Sequence, residues 1–506
     1  VKTLICATKV LGREADAVIV EGGRIAAVGW AAELRQPGMG ERSHPGRVIA
    51  PGLHDHHFHP FGYVSALTQP SLHLARDLDD LLGRLRAAAA ILPPGGALIA
   101  SRLDDEGLAE RRLPTRHDLD RVVPDRPVLL YRYCGHLAVA NTAALERAGI
   151  DAGASDPAGG TLDRDESGDP TGVLRETAIE PVSRSLASLA SPVAGANLLR
   201  ALRGLTSLGI TRITAIISAG EGLWCGSGDE VATLVEIAPD LPLEVETLVI
   251  ADTPAALESA ATRLRQASGP VRFSGWKGFA DGSLGGHTAA LYEGYSDLPA
   301  ATGTLRLDPD TATGLATASL GLGGEVAIHA IGDLANDRVL DLFEELIERG
   351  ADPGRLRVEH ASVLTDPAIS RFGRLGVTAS LQPAFLASEQ GWLEKRLGRR
   401  IANTYPFRSL DQAGARLVGG SDCPVEPPNP WWGMAAAVDR SSAEALDARA
   451  AFDLFAEPLE VGSPANLLVL DRDPLEAPAS ELRRTTVVEV WRQGQRVALE
   501  PELAFV

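Results

Sequence analysis

A chain of 506 residues, 45% hydrophobic and 23% charged, is too long for one compact core and reads as a globular protein of about three units at roughly 150 residues each. Its 48 basic and 67 acidic residues leave a net charge of -19, which speaks against nucleic acid or an acidic membrane surface and for a small neutral or cationic ligand; a homodimer stays open. No run of about 18 apolar residues and no signal-peptide layout is present, so a cytoplasmic location is expected, and Cys6, Cys134, Cys225 and Cys423, dispersed without a CxxC pair, read as reduced packing residues.

From the N-terminus, residues 16–30 alternate apolar and polar positions around Gly22-Gly23, the pattern of a β-hairpin. Residues 466–498 read the same way. Strands at the two ends of a chain can pair, so residues 1–50 plus 459–506 are expected to form one small composite β-sandwich, with 51–458 as a separate domain between them.

That middle part alternates short apolar runs with helical patterns. Strands are expected at 48–56, 211–217, 243–250, 271–279, 325–331, 356–362, 376–382 and 415–421, with helices between most of them. Asn336 is expected to cap the helix before Gly350, with Leu340, Phe343 and Ile347 on one face. Eight strands with crossover helices point to an α/β fold, a (β/α)₈ barrel whose functional residues stand at the C-terminal strand ends. Residues 61–195 are too long for a loop and should form an inserted, lid-like subdomain, with a helix at 77–91 started by acidic residues and stopped by PPGG.

The segment APGLHDHHFHP (50–60) places four of the chain's 11 histidines within six residues. In a strand, residues i and i+2 share a side, so His57 and His59 should face the barrel mouth together and chelate one divalent ion, while His54 and His56 should not. The other strand ends supply Lys277, His329, His360 and Asp422. His329 and His360 lie in apolar surroundings, where an imidazole without a partner is costly.

These residues belong to a longer series: PGLHDHHFH, PTRHDLDRVVPDRPVLLYRYCGHLAVANTAAL (114–145), WKGFADGSLGGHTAALYEGYSD (276–297), IHAIGD (328–333), RVEHAS (357–362) and GGSDCPVEPPNP (419–430). In this order the series resembles the amidohydrolase superfamily, and within it the YtcJ-like metal-dependent amidohydrolases. The resemblance implies His57, His59 and Asp422 on one ion, His329 and His360 on a second, and Lys277 bridging both as a carbamate. The ions would be two Zn²⁺, with Mn²⁺ or Fe²⁺ as alternatives. Only four of the 48 basic residues are lysines (48 − 4 = 44 arginines), so a lysine kept at 277 suggests that an amine is required, since a guanidinium cannot form a carbamate.

The activity implied is hydrolysis of a C–N, amide-type bond of a small molecule by a metal-activated water, with Asp422 moving the proton. Ester, lactone or carbamate hydrolysis on the same site, or a catalytically silent ligand-binding barrel, are the competing readings. A deaminase of this superfamily would carry His-x-x-Glu on strand 5, where this chain has His329, Ala330, Ile331 and Gly332. His136 in the inserted segment is a candidate substrate contact, as are Asp281, His287 and Asp333 from the motifs near the ligands. Trp431-Trp432 stand to wall a pocket or simply to pack. Ala215 and Asn466 depart from the family pattern, which often has Asp at both.

Overall fold

The computed structural model describes residues 2–189, 193–220, 228–440 and 443–503; Cys225 lies outside them. Its centre is a sheet of eight parallel strands in sequential order: β1 (Leu53–Phe58), β2 (Ile210–Ser218), β3 (Glu244–Ile250), β4 (Val271–Phe279), β5 (Glu325–Ala330), β6 (Leu356–His360), β7 (Thr378–Leu381) and β8 (Arg416–Gly419). Across the seam the Asp422 N–H donates to the His57 carbonyl at 2.8 Å and the His59 N–H to that of Cys423 at 2.9 Å, which brings the ends of β8 and β1 together. The strand interiors are nearly continuous apolar runs, such as Val326, Ala327 and Ile328, as both faces of a parallel sheet are covered.

Crossover helices start where the sequence places a capping side chain. Asp229, Thr253, Asp308 and Thr365 each accept the N–H three residues on, at the heads of Glu230–Ile237, Pro254–Arg265, Pro309–Gly321 and Asp366–Leu375. The expected cap at Asn336 is incorrect. That helix runs Asp333–Glu348 from Gly332, and Asn336 is buried within it, its amide donating to the carbonyls of Ala330 and Gly332 at 3.2 and 2.8 Å. A buried amide finds its acceptors in the preceding strand end, and one turn more of helix follows.

The strand expected at 48–56 is two strands. Gly40–Pro51 belongs to the terminal sheet, where it pairs antiparallel with Leu467–Leu470, and β1 begins after Gly52. At this corner a Cβ would collide with the Thr211 side chain, so the chain turns on a glycine.

The terminal sheet has seven strands from both chain ends, in the order Gln495–Val497, Val487–Arg492, Leu467–Leu470, Gly40–Pro51, Thr3–Val10, Ala17–Glu21, Arg24–Gly29. The hairpin turns through Gly22 and Gly23, both at positive φ. Asn466 ties this sheet to the barrel: its amide donates to Glu457 at 3.0 and 3.1 Å, and its oxygen accepts from the Gln493 N–H.

Between β1 and β2 the helix Pro60–Thr68 packs into the barrel core through Phe61, Tyr63 and Val64. A five-stranded sheet follows, ordered Leu98–Leu103, Val128–Arg132, Leu137–Ala140, Pro170–Glu176, Gly160–Arg164, with a separate apolar cluster on each side. The helix Leu78–Ile91 is capped by Asp77 and packs on one of these clusters through Leu81, Leu82 and Leu85. Among the described residues no helix is long and apolar enough to cross a membrane.

Candidate metal centre

The four clustered histidines divide into two pairs, as side-chain alternation along β1 dictates. In its register with β2, Ile213 faces Asp55 and Ala215 faces Phe58, so the register shifts between Asp55 and Phe58. His54 and His56 stack at 3.6 Å, and His54 bonds Thr214 at 2.9 Å. His57 and His59 each place Nε2 against Oδ1 of Asp422, at 3.2 and 3.1 Å. The three donors lie within 4.8 Å of one another.

Asp422 reaches this point on a strained backbone, with φ +55, and His360 at the end of β6 has φ +76. Non-glycine residues rarely take this region, and where they do the surrounding structure holds them for a purpose. Asp55 does that holding beneath Asp422: it accepts from the His57 N–H at 3.1 Å and from the Ser421 N–H and hydroxyl at 3.0 and 2.5 Å.

His329 and His360 complete the ring of bases. Their rings lie 4.5 Å apart, His57 is 4.9 Å from His360, and Nε2 of His329 is 3.1 Å from the Gly282 carbonyl. Burial pushes both imidazoles well below the usual histidine range, so they stand neutral with a lone pair available. Lys277 is 1% exposed; burial lowers its amine to about 8 against the pull of Glu359 and Asp422. Burial also opposes charge on His57, but Asp422 and Glu359 outweigh it and raise that imidazole.

This donor set fits a divalent metal. Nζ of Lys277 and Nδ1 of His360 are fully buried and find no hydrogen-bond partner among the described residues, which is costly unless a ligand completes them. The six groups have the chemistry of a hard-to-borderline cation site: neutral imidazoles, a carboxylate and an amine.

Two residues that motif reading passed over orient the set. Glu359 accepts from Nδ1 of His57 at 2.6 Å, which leaves Nε2 directed at Asp422, and Arg357 fixes Glu359 from the other side at 2.6 Å. Both sit in the RVEH stretch, and a buried Glu and Arg inside an apolar strand were the available signal.

The remaining sequence candidates separate. His136 lines the cavity above the centre, 5.0 Å from the His329 ring, with Nδ1 bonded to Glu176 at 2.9 Å; Arg306 also donates to Glu176, at 2.8 Å. Asp281 does not line the cavity, but its Oδ1 lies 3.4 Å from Nε2 of His329. It accepts three backbone N–H groups, from Ala290, Ile331 and Gly332, and so shapes the loops after β4 and β5. Asp333 likewise accepts from the N–H groups of Tyr292 and Leu334, and His287 pairs with Asp297 at 3.1 Å; neither lines the cavity. Trp431 is buried, donating to the Leu208 carbonyl, while Trp432 is 46% exposed on the wall of a different cavity.

The cavity over the six groups has a volume of about 640 Å³, walled by Ile179, Ile250, Ala256 and Phe279 and by the polar groups of His136, Glu176 and Arg306. That size suits a drug-sized molecule with an apolar part and a few fixed polar contacts.

The sequence from 45 to 456 matches the model of the amidohydrolase family. The chain is 30% identical to the "Putative amidohydrolase YtcJ" of Bacillus subtilis (strain 168), over 96% of each. It is 27% identical to the "N-substituted formamide deformylase" of Arthrobacter pascens, over 95% of this chain and 94% of that one. Among solved structures, an uncharacterized metal-dependent hydrolase from Pyrococcus horikoshii OT3 superposes with a TM-score of 0.72 at 27% identity, over 95% of this chain and 99% of that one.

Proposed function

Because the chain belongs to the amidohydrolase family, we propose that it is a metal-dependent hydrolase of a C–N, amide-type bond in a small molecule, with N-acylated amines as the leading substrate class. The observation that carries this reading is the convergence of six metal-competent groups at the C-terminal strand ends, with the amine of Lys277 buried and unpartnered among them. The relative named as an N-substituted formamide deformylase supports the choice of bond.

In this reading His57, His59 and Asp422 hold one ion and His329 and His360 the other, with Lys277 N-carboxylated between them. Zinc is the first choice and manganese or iron the alternatives. When bound, such ions supply an acidified water and polarise the substrate carbonyl. The chain's own residues do the rest. Glu359 and Arg357 keep His57 in one tautomer. Asp422, pinned by two imidazoles and by the loop that Asp55 holds, takes the proton of the attacking water and returns it to the departing nitrogen. His136, fixed by Glu176, meets the substrate from the inserted sheet. The wall of Ile179, Ile250 and Phe279 takes the apolar substituent and keeps bulk water away.

The test is turnover by protein of measured metal content against N-acylated amines, N-acyl amino acids, cyclic amides, carbamates and aryl esters. Hydrolysis of an amide class, lost on chelation and restored by metal, is expected. Turnover of esters or carbamates with no amide accepted would move the assignment to those bonds.

A further inference from the structure

The metal centre faces two ways. Besides the 640 Å³ cavity, a second cavity of about 580 Å³ is lined by Arg102, Tyr133 and Trp392 and by the exposed Gly107, Arg111 and Trp432. A small chamber of about 30 Å³ joins the two. It shares His136, His329, His360 and Asp422 with the first cavity, and Tyr133 and Ser388 with the second. A water needs roughly 10–15 Å³ measured this way, so the neck has room for two or three waters, about the space of one carboxylate group.

Arg132, in the YRYCGH stretch, lines this neck. It is 1% exposed, its Nε donates to Asp105 at 2.6 Å, and its guanidinium stacks on Tyr133 at 4.3 Å. Among the described residues its Nη1 and Nη2 are buried without a hydrogen bond to an oxygen, and the acceptor beside the guanidinium is the weak one of the Cys134 thiol. Gly285 keeps the guanidinium clear, since a Cβ there would stand 2.5 Å from Nη1. One edge of the cation is therefore neutralised by a carboxylate, while the other meets no carboxylate and lines the neck. The two Nη groups of an arginine suit a planar carboxylate.

We propose that the neck is a binding site for a small carboxylate of the size of formate or acetate, held by Arg132, through which the acyl product leaves toward the second cavity. The bulky half of the substrate then stays in the 640 Å³ cavity, and a short acyl group points into the neck. That the carboxylate is a product rests on the amide-hydrolase reading; that an anion binds here does not.

Cys134, half-buried in the neck wall, provides a readout free of turnover. The rate at which iodoacetamide alkylates it, read by mass spectrometry on its peptide in the metal-loaded full chain, should fall about threefold or more at saturating formate or acetate at constant ionic strength. Arg132→Gln should abolish the protection. Should that variant fail to fold, Ser388→Phe, which fills the neck from the far side, should abolish it with metal content unchanged. Weaker protection by bicarbonate than by formate supports the product assignment, and stronger protection overturns it. The site itself is overturned by an unchanged alkylation rate, by equal protection from chloride, or by protection that survives Arg132→Gln and disappears on chelation, which would put the anion on the metal. Formate protection in a protein that hydrolyses no amide would leave the anion site standing and remove only its role in release.

Discussion

At the N-terminal end of the barrel strands Arg212 is held by three carboxylates, Glu244, Glu246 and Glu457, at 2.8, 2.9 and 2.9 Å. At the C-terminal end of the same barrel Lys277, His329 and His360 are at least as deeply buried, yet among the described residues Nζ of the lysine and Nδ1 of His360 find no hydrogen-bond partner. Both layers place polar groups where solvent is scarce, and both lie in one rigid sheet. The difference is whether an opposite charge is in contact: Nε of Arg212 also lacks a hydrogen bond, but its cation touches three carboxylates. A buried ion already matched by its neighbours acts on the fold, whereas buried bases left unmatched act on something that binds. Substitutions at the two ends should therefore fail in different measurements.

The largest effect is expected at Lys277. Lys277→Arg keeps a positive charge and roughly the length but cannot form a carbamate, so it should lose at least one metal and about a thousandfold or more in turnover. Lys277→Ala should be equally inactive but should recover in part with added formate or acetate, which can stand in for the missing carboxylate. A Lys277→Arg protein holding two metals with near-normal activity would sink the bridge and leave a single ion on His57, His59 and Asp422. The matched layer should respond in the opposite manner. Arg212→Met leaves three carboxylates facing one another and should cost about 3 kcal/mol of stability, the low end for a broken buried ion pair because the side chain is 17% exposed. Denaturant unfolding should show that loss while metal stoichiometry stays the same.

Glu359 tests how far the unmatched layer extends. It is completely buried and fully engaged, by His57 on one side and Arg357 on the other. Glu359→Gln permits the wrong tautomer of His57 and should weaken metal binding about 10- to 100-fold, measured by competition with a chelator. An unchanged affinity would mean that His57 is oriented by its backbone alone.

Where sequence reading succeeded and failed follows the same division. The eight strands were legible because a parallel barrel strand is a short apolar run between breakers, and β2 to β8 lie within the expected segments or within a residue of them. The first segment misled because apolar character runs on through Gly52, and only the Thr211 side chain packed against that corner separates the two strands. The motif residues Asp281, His287 and Asp333 lie near ligands in sequence and were expected near substrate, but Asp333 and His287 turn to backbone N–H groups and Asp297, and Asp281 accepts backbone N–H groups while standing 3.4 Å from Nε2 of His329, contacts that no spacing encodes. Arg132 lies within the motif at 114–145, but nothing in the sequence showed that its Nη groups meet no carboxylate.

A gentler probe of the same contrast is pH. The amine of Lys277 gives up its proton near 8 in the folded protein, against 10.5 ordinarily, chiefly because it is buried. Only the neutral amine forms a carbamate, so metal uptake by stripped protein with bicarbonate should quicken about tenfold per pH unit up to about 8 and then level off. The sign for stability is the same. Between 8 and 10.5 the unfolded chain binds more protons at this lysine than the folded one, so this group makes the metal-free protein more stable as pH rises through that window. Uptake that is flat across pH 6 to 9, on the order of no change per unit, would show that the amine is not the limiting group.

The smallest effect separates neighbouring residues. His56 and His57 are adjacent in one strand, so alternation puts them on opposite sides and it is His57 that meets Asp422. His57 takes up both nitrogens, on Glu359 and Asp422, whereas His56 stacks on His54 and is the one member of β1 not fully buried. His57→Ala should strip metal and turnover together. His56→Ala removes a stacked ring and no donor, so it should cost about 1 kcal/mol of stability and leave metal content and kcat within roughly a factor of two. Metal analysis of the two variants side by side reads the register directly. Equal losses at 56 and 57 would mean that the register of β1 is wrong here, and the assignment of His59 just beyond it would fall with it.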